Sequence, residues 1–286
     1  MVCSAWRGVV RGAAFVAMLV LLGVVAAAQT PRLKNIALCN GEDQTTRDPQ
    51  INGCTTLIDS GEETPQVLAI AYNNRGNAYT TKGEYDLAIK DYDQAIKLKA
   101  NYPKALNNRG VAYRKKGEFD RAIEDFNEAI KLDPNYASPF ANRAAIHAGK
   151  GEHDRAIRDY DEVIRLAPVV GAAVWNGRCW SRAIIGALQD ALSDCNEALR
   201  LEPNDTAAFD SRGFTYLKIG QWDSAIQDYS SALQNEPRLA SALYGRGLAK
   251  RKKGDAAAGK ADMAAATAID PNIASDFARY GMQIGD

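Results

Sequence analysis

Six small residues, Gly76, Gly110, Ala144, Cys179, Gly213 and Gly247, follow one another at intervals of 34, 34, 35, 34 and 34 residues, and the sequence around each recurs with it. No other feature constrains the fold as strongly. A unit of this length cannot bury an apolar face by itself, so the copies must stack, and a period in this range marks an array of helical hairpins.

The clearest copy is 103–136, PKALNNRGVAYRKKGEFDRAIEDFNEAIKLDPNY. Leu106, Gly110, Ala112 and Tyr113 fall at helical spacing on a first segment, and Ala122, Ile123, Phe126, Ala129 and Ile130 on a second. Two amphipathic helices follow from that spacing. Gly117 stands between them, where a residue that accepts positive φ ends the first helix, and Pro134 stops the second because it has no N–H to donate. Gly110, Ala122 and Ala129 are small enough to let the two backbones approach. Leu106, Tyr113, Phe119 and Phe126 fill the space around that contact.

This unit resembles the tetratricopeptide repeat (TPR), whose pattern has a large residue at position 4, a small one at 8, an aromatic at 11, Ala at 20, an aromatic at 24, Ala at 27 and Pro at 32. Six repeats fit, at 69–102, 103–136, 137–170, 172–205, 206–239 and 240–273. Position 20 is Ala88, Ala122, Ala156, Ala191, Ala225 or Gly259, and position 32 is Pro134, Pro168, Pro203, Pro237 or Pro271 in the last five repeats. The departures are Ala100 for the first Pro, His147, Arg182 and Lys250 for the aromatic at 11, Val163 at 27, and one extra residue near Gly171. The resemblance implies an all-α fold, a right-handed α-solenoid of six TPR hairpins, with helical caps at both ends.

Both ends differ from the repeats. Residues 1–28 have Arg7 and Arg11, an apolar run from Gly12 to Val25, and Ala26, Ala27 and Ala28 before Gln29. That is the layout of a secretory signal peptide, the other reading being an uncleaved membrane anchor. No later apolar run reaches the roughly 18 residues of a membrane span. A soluble exported protein, periplasmic or secreted and of the bacterial kind, is expected, with no membrane association after cleavage. In the N-terminal segment 29–68, Asp48 and Pro49 start a helix over about 49–60 that covers the open end of the array. In the C-terminal segment 274–286, Phe277 and Tyr280, with Ile273 before them, are set to cover the face of repeat six.

Composition and motifs argue against chemistry. Without Arg7 and Arg11, 33 basic residues face 35 acidic ones. Nucleic acid is therefore not an expected partner, since phosphate binding needs a concentrated basic face. The clusters at Arg114–Lys116 and Lys250–Lys253 read as solvated helix ends. The two histidines, His147 and His153, read as packing residues, and neither a metal-binding nor a phosphate-loop motif occurs. No catalytic residue, metal or cofactor is expected.

Two rows of charge stand out. Position 7 is Arg in every repeat (Arg75, Arg109, Arg143, Arg178, Arg212, Arg246) and position 23 is Asp (Asp91, Asp125, Asp159, Asp194, Asp228, Asp262). A ladder of ion pairs is expected, closing either within each repeat or between neighbours.

The resemblance also implies that positions 2, 5, 6, 9, 12 and 13 face a concave groove. There the first half has Asn73, Asn74, Asn77, Lys104, Asn107, Asn108, Arg114 and Asn142, and the second has Trp180, Ile184, Phe214, Leu217, Tyr244 and Leu248. Amides suit a peptide backbone because each is donor and acceptor. Aromatics suit apolar anchors, or else pack on a neighbouring repeat. Chaperone-binding TPRs clamp a carboxylate with Lys at position 5, where this chain has Asn73; Asn77 and Asn108 match the amides of that clamp. The expected function is a non-catalytic scaffold for a protein or peptide, the alternative being an accessory subunit of an exported enzyme or thiol-disulfide system.

Cys39, Cys54, Cys179 and Cys195 remain after the leader, an even number for an oxidising compartment. Pairing within each segment is the simple choice. Cys179 and Cys195, at positions 8 and 24 of one hairpin, lean toward each other, which makes a bridge feasible; two buried thiols are the other reading. N-terminal sequencing of the exported protein should return Gln29; a sequence starting at Met1 would refute cleavage.

Overall fold

The computed structural model describes residues 31–42, 46–167 and 169–282; the expected leader, its cleavage site and the Pro168 helix stop lie outside them. The described chain holds helices and no strands, and divides between Leu132 and Asp133 into two compact units. The first contains α1 (31–39), α2 (Asp48–Asp59), α3 (Pro65–Lys82), α4 (Tyr85–Leu98), α5 (Pro103–Lys116) and α6 (Phe119–Leu132). The second contains α7 (Ala137–Gly149), α8 (His153–Leu166), α9 (Ala172–Ile185), α10 (Leu188–Leu201), α11 (Thr206–Ile219), α12 (Trp222–Asn235), α13 (Ala240–Lys252), α14 (Ala256–Ile269) and α15 (Ile273–Arg279). From α3 to α14 these are the six expected hairpins.

Each hairpin turns where the sequence places a glycine. Gly117 ends α5 at φ 83°, its N–H returning to the carbonyls of Tyr113 and Arg114. A side chain at that φ would be strained. Stacking depends on rings set against missing side chains. The Tyr229 ring on α12 is wholly buried, and a Cβ at Gly245 of the next hairpin would come within 2.2 Å of it. Only glycine admits so close an approach.

The charge rows form the expected ladder, and each main pair closes within its own repeat. Arg109 donates through Nε and Nη2 to the two oxygens of Asp125, at 2.9 and 2.7 Å. The same two-bond fork joins Arg75 to Asp91, Arg143 to Asp159, Arg178 to Asp194, Arg212 to Asp228 and Arg246 to Asp262. The remaining Nη1 reaches back to position 25 of the preceding repeat: Arg109 to Asp93, Arg178 to Asp161, Arg212 to Asn196 and Arg246 to Ser230. Thus one guanidinium closes its own hairpin and ties it to the one before. Arg182 and Lys250, which replace the aromatic at position 11, each add a second cation to the position 23 carboxylate, on Asp194 and Asp262. A further tie runs from Lys116 to Asp86 and from Lys253 to Asp223, position 14 to position 18 of the preceding repeat.

At the N-terminus the structure goes beyond the single capping helix expected. The 31–39 helix pairs with α2, closely enough that a Cβ at Gly53 would meet Leu38 Cβ at 2.6 Å. Two ties then treat α2 as the second helix of a preceding repeat. Arg75 Nη1 donates to Thr55 Oγ1, and Lys82 Nζ to Asp48. The sequence separations are 20 and 34, where the corresponding ties of Arg109 and Lys116 span 16 and 30. Both exceed the repeat value by four residues, and α3 begins at Pro65, four residues ahead of the repeat boundary at Ala69. Both cysteine pairs are joined, Cys39 to Cys54 with Cα atoms 4.5 Å apart and Cys179 to Cys195 at 5.4 Å.

Inside the second unit the Tyr229 hydroxyl and Asp210 Oδ1 are buried without a hydrogen-bond partner, while Ser241 Oγ donates to Asp210 Oδ2 at 2.8 Å. Burial pushes the Asp210 carboxyl up from 3.8 to about 6, the Ser241 hydroxyl opposing and Glu236 adding to the shift. The folded chain therefore holds a proton there that the unfolded chain has lost, and this contribution to stability falls as pH rises from about 4 through 6.

Arg143→Met strands a carboxylate that is 6% exposed and should cost about 3 kcal/mol, with less lost when Asp159→Leu is added; equal losses in chemical denaturation would show that the pair carries no coupling. Asp210→Asn should stabilise the protein at pH 8 by on the order of 2 kcal/mol and much less at pH 4.5. An effect identical at both pH values would refute the buried proton.

Candidate partner-binding surface

In the first unit α3 and α5 present the amide row. Asn108 Nδ2 on α5 donates to Asn73 Oδ1 at 3.0 Å and to Asn77 Oδ1 at 2.9 Å, both on α3. Asn73 donates on to Asn74 at 3.3 Å and Asn74 to Asn40 at 3.2 Å, while Asn107 donates to Asn108 at 3.3 Å. The Tyr92 hydroxyl, held beside Thr80, donates to Asn77 Oδ1 at 2.8 Å. The amides therefore form a connected chain, with Asn73 and Asn107 buried and Asn77 and Asn108 partly exposed.

That network leaves specific donors unused. Asn77 accepts through Oδ1, yet its Nδ2 has no partner among the described residues. Arg114, partly buried near the end of α5, has no side-chain partner there either, and its Nε is wholly enclosed. Lys104, at the start of the same helix, is exposed. These groups can bind a backbone carbonyl or a carboxylate.

The second unit is arranged differently. Asn142 on α7 is partly buried and already engaged. Phe214, Leu217 and Tyr244 are at most 2% exposed, and Trp180 is partly covered. Their cover is the C-terminal helix. Phe277 lies 4.9 Å from Tyr244 and 5.8 Å from Phe214 between ring centroids; Tyr280 lies 5.3 Å from Trp180 and 6.0 Å from Phe214. The expectation put Ile273, Phe277 and Tyr280 over the exposed face of repeat six. Phe277 also reaches α11, and Tyr280 reaches α11 and α9, so these apolar residues face a segment of their own chain. Lys218 spans the same region, donating to the Ala183 and Ile184 carbonyls at 2.8 and 3.0 Å, and burial lowers its pKa.

Beside Tyr280 a cavity of about 380 Å³ opens between α7, α9 and the end of α15, lined by Trp180, Ile184, Tyr280, Lys150, His153 and Gly151. His153 Nδ1 is enclosed there without a partner, and burial lowers the imidazole pKa, which favours the neutral ring at pH 7. His147 takes the packing role expected of it, its Nδ1 2.7 Å from Glu152. Among the described residues no group of three or more His, Cys, Asp or Glu is placed to hold a metal ion, and no helix is long and apolar enough to cross a membrane.

Comparison with known proteins agrees with this architecture. Tetratricopeptide repeat models match residues 103–136, 142–206 and 240–273, and a TPR repeat model matches 76–117 and 215–254. No curated protein matches the sequence. Among solved structures, a tetratricopeptide repeat protein from Parabacteroides merdae is 16% identical, with a TM-score of 0.60 over 89% of this chain and 98% of that one. PilW, described as a widely conserved type IV pilus biogenesis factor, is 18% identical, with a TM-score of 0.62 over 71% and 94%. YrrB, described as a TPR protein with an unusual peptide-binding site, is 19% identical, with a TM-score of 0.53 over 63% and 93%. At such identities the structural likeness concerns the fold. Together with the repeat models and the hairpins themselves, it shows that this chain belongs to the tetratricopeptide repeat family.

Proposed function

We propose that this chain is an exported, non-catalytic scaffold that holds a protein or peptide segment against the inner faces of its repeat helices. The observation that carries the reading is the amide chain of the first unit, which fixes Asn77 and Asn108 in place while leaving Asn77 Nδ2 and the Arg114 guanidinium unused. Rigid donors beside a partly open surface bind at low entropic cost, because the side chains are ordered before the ligand arrives. Asn73 at position 5 supplies no cation for a terminal carboxylate, so Arg114 and Lys104 are the groups that would attract an acidic segment. Export is supported by the leader pattern and the two cysteine pairs, which suit an oxidising compartment.

Affinity capture from the exported fraction, with the mature chain as bait, identifies the partner. Replacing Lys104 and Arg114 by Ala should then weaken binding about tenfold, or 1.4 kcal/mol, and shift the melting temperature little, since neither side chain holds the fold together. Unchanged affinity in the folded variant would remove this surface from the reading.

A further inference from the structure

We infer that the aromatic face made by Trp180, Phe214 and Tyr244 is a docking surface for an amphipathic helix of a partner protein that carries two aromatic side chains about one turn apart, and that α15 is the chain's own competing occupant. The inference rests on the groove-binding reading and specifies its ligand for the second unit.

The chemistry of the ligand is read from what already sits there. Phe277 on helix α15 and Tyr280, the residue that caps its C-terminal end, stand three residues apart, and these two rings meet all three scaffold aromatics at centroid distances between 4.9 and 6.0 Å. Residues three apart share a helix face. Its opposite face, with Ala274, Ser275 and Ala278, is exposed. This is how a helix lies in a groove, with the large anchors inward and small or charged residues, Arg279 among them, outward.

Two features separate such an occupant from a fixed part of the fold. The helix has seven residues, from Ile273 to Arg279, and reverses at Gly281 with φ 79°. A helix so short has little stability of its own and exists because the groove holds it. In addition, the surface continues past the helix into a cavity where Trp180 and Ile184 stand with the polar side chains of Lys150, His153 and Arg279. Trp180 packs on Tyr280 with one part and lines the 380 Å³ cavity with another, where Ile184 continues the same wall. A partner helix two turns longer would use that wall as well as the aromatic floor. The tether keeps α15 at high local concentration, so a partner must exceed it in contact and not merely equal it.

The test uses a fluorescein-labelled peptide with the sequence of residues 270–282, DPNIASDFARYGM, titrated by anisotropy. The full chain is compared with its Phe277→Ser, Tyr280→Ser double variant, and that variant with the same chain also carrying Trp180→Ala. We expect the double variant to bind at least about tenfold more tightly than the parent, because the tethered competitor is disabled, and Trp180→Ala to abolish the gain. If circular dichroism shows the double variant unfolded, Tyr280→Ser alone, at a partly exposed position, should still give about a threefold gain. Equal affinity for the parent and a folded variant would overturn the competition while leaving a groove ligand in place. No binding by either would overturn the docking surface itself, and leaves the Lys104 and Arg114 experiment to judge the groove reading separately. A parent chain that sediments as a dimer through exchanged C-terminal helices would assign the face to a second copy and overturn the inference too.

Discussion

The structure depends on a carboxylate that cannot be left alone. In each of the first five repeats the position 23 aspartate is at most 6% exposed, and a buried charge of that kind must be matched by a cation in good geometry. The guanidinium supplies two parallel donors to the carboxylate and has a third left over, which a lysine could not aim in the same plane. That third donor reaches the helix of the previous repeat from Arg109, Arg178, Arg212 and Arg246, and reaches α2 from Arg75. The interaction that makes a hairpin tolerable in its interior is therefore also the one that sets its distance from its neighbour.

Much of this was legible in the sequence because it is periodic. The 34-residue interval predicts hairpins, the Arg and Asp rows predict ion pairs, and positions 8 and 24 put Cys179 and Cys195 within reach of each other. What could not be read was whatever breaks the period. The 31–39 helix carries no repeat signature, and it joins the array through its close packing and its disulfide on α2, which two side-chain ties in turn hold to α3. Whether the ladder closes within or between repeats needed the geometry of the guanidinium, which does both. The path of α15 across α9 and α11 was hidden for the same reason: Phe277 and Tyr280 read correctly as apolar anchors, but a helix of seven residues offers no pattern that says how far it reaches.

The candidate surface shows the same limit. The amides of α3 and α5 were visible in the sequence as residue types. Their mutual hydrogen bonds decide which atoms remain for a ligand, and that turns on rotamers that no residue spacing encodes. Conversely, Phe214 and Tyr244 were visible as apolar residue types, while their cover comes from a segment more than 25 residues further along the chain.

The early start of α3 has a wider meaning. Four added residues advance a helix by 400°, which is one full turn plus about 40°, so the side chains that follow face nearly the direction they faced before. The ties of Arg75 and Lys82 survive at separations of 20 and 34 for that reason. Angular phase, rather than residue count, is what a stack of helices preserves. A unit shifted by a whole turn drops out of any strict interval count while remaining a member of the stack, so the number of structural units in such a chain can exceed the number of its sequence repeats.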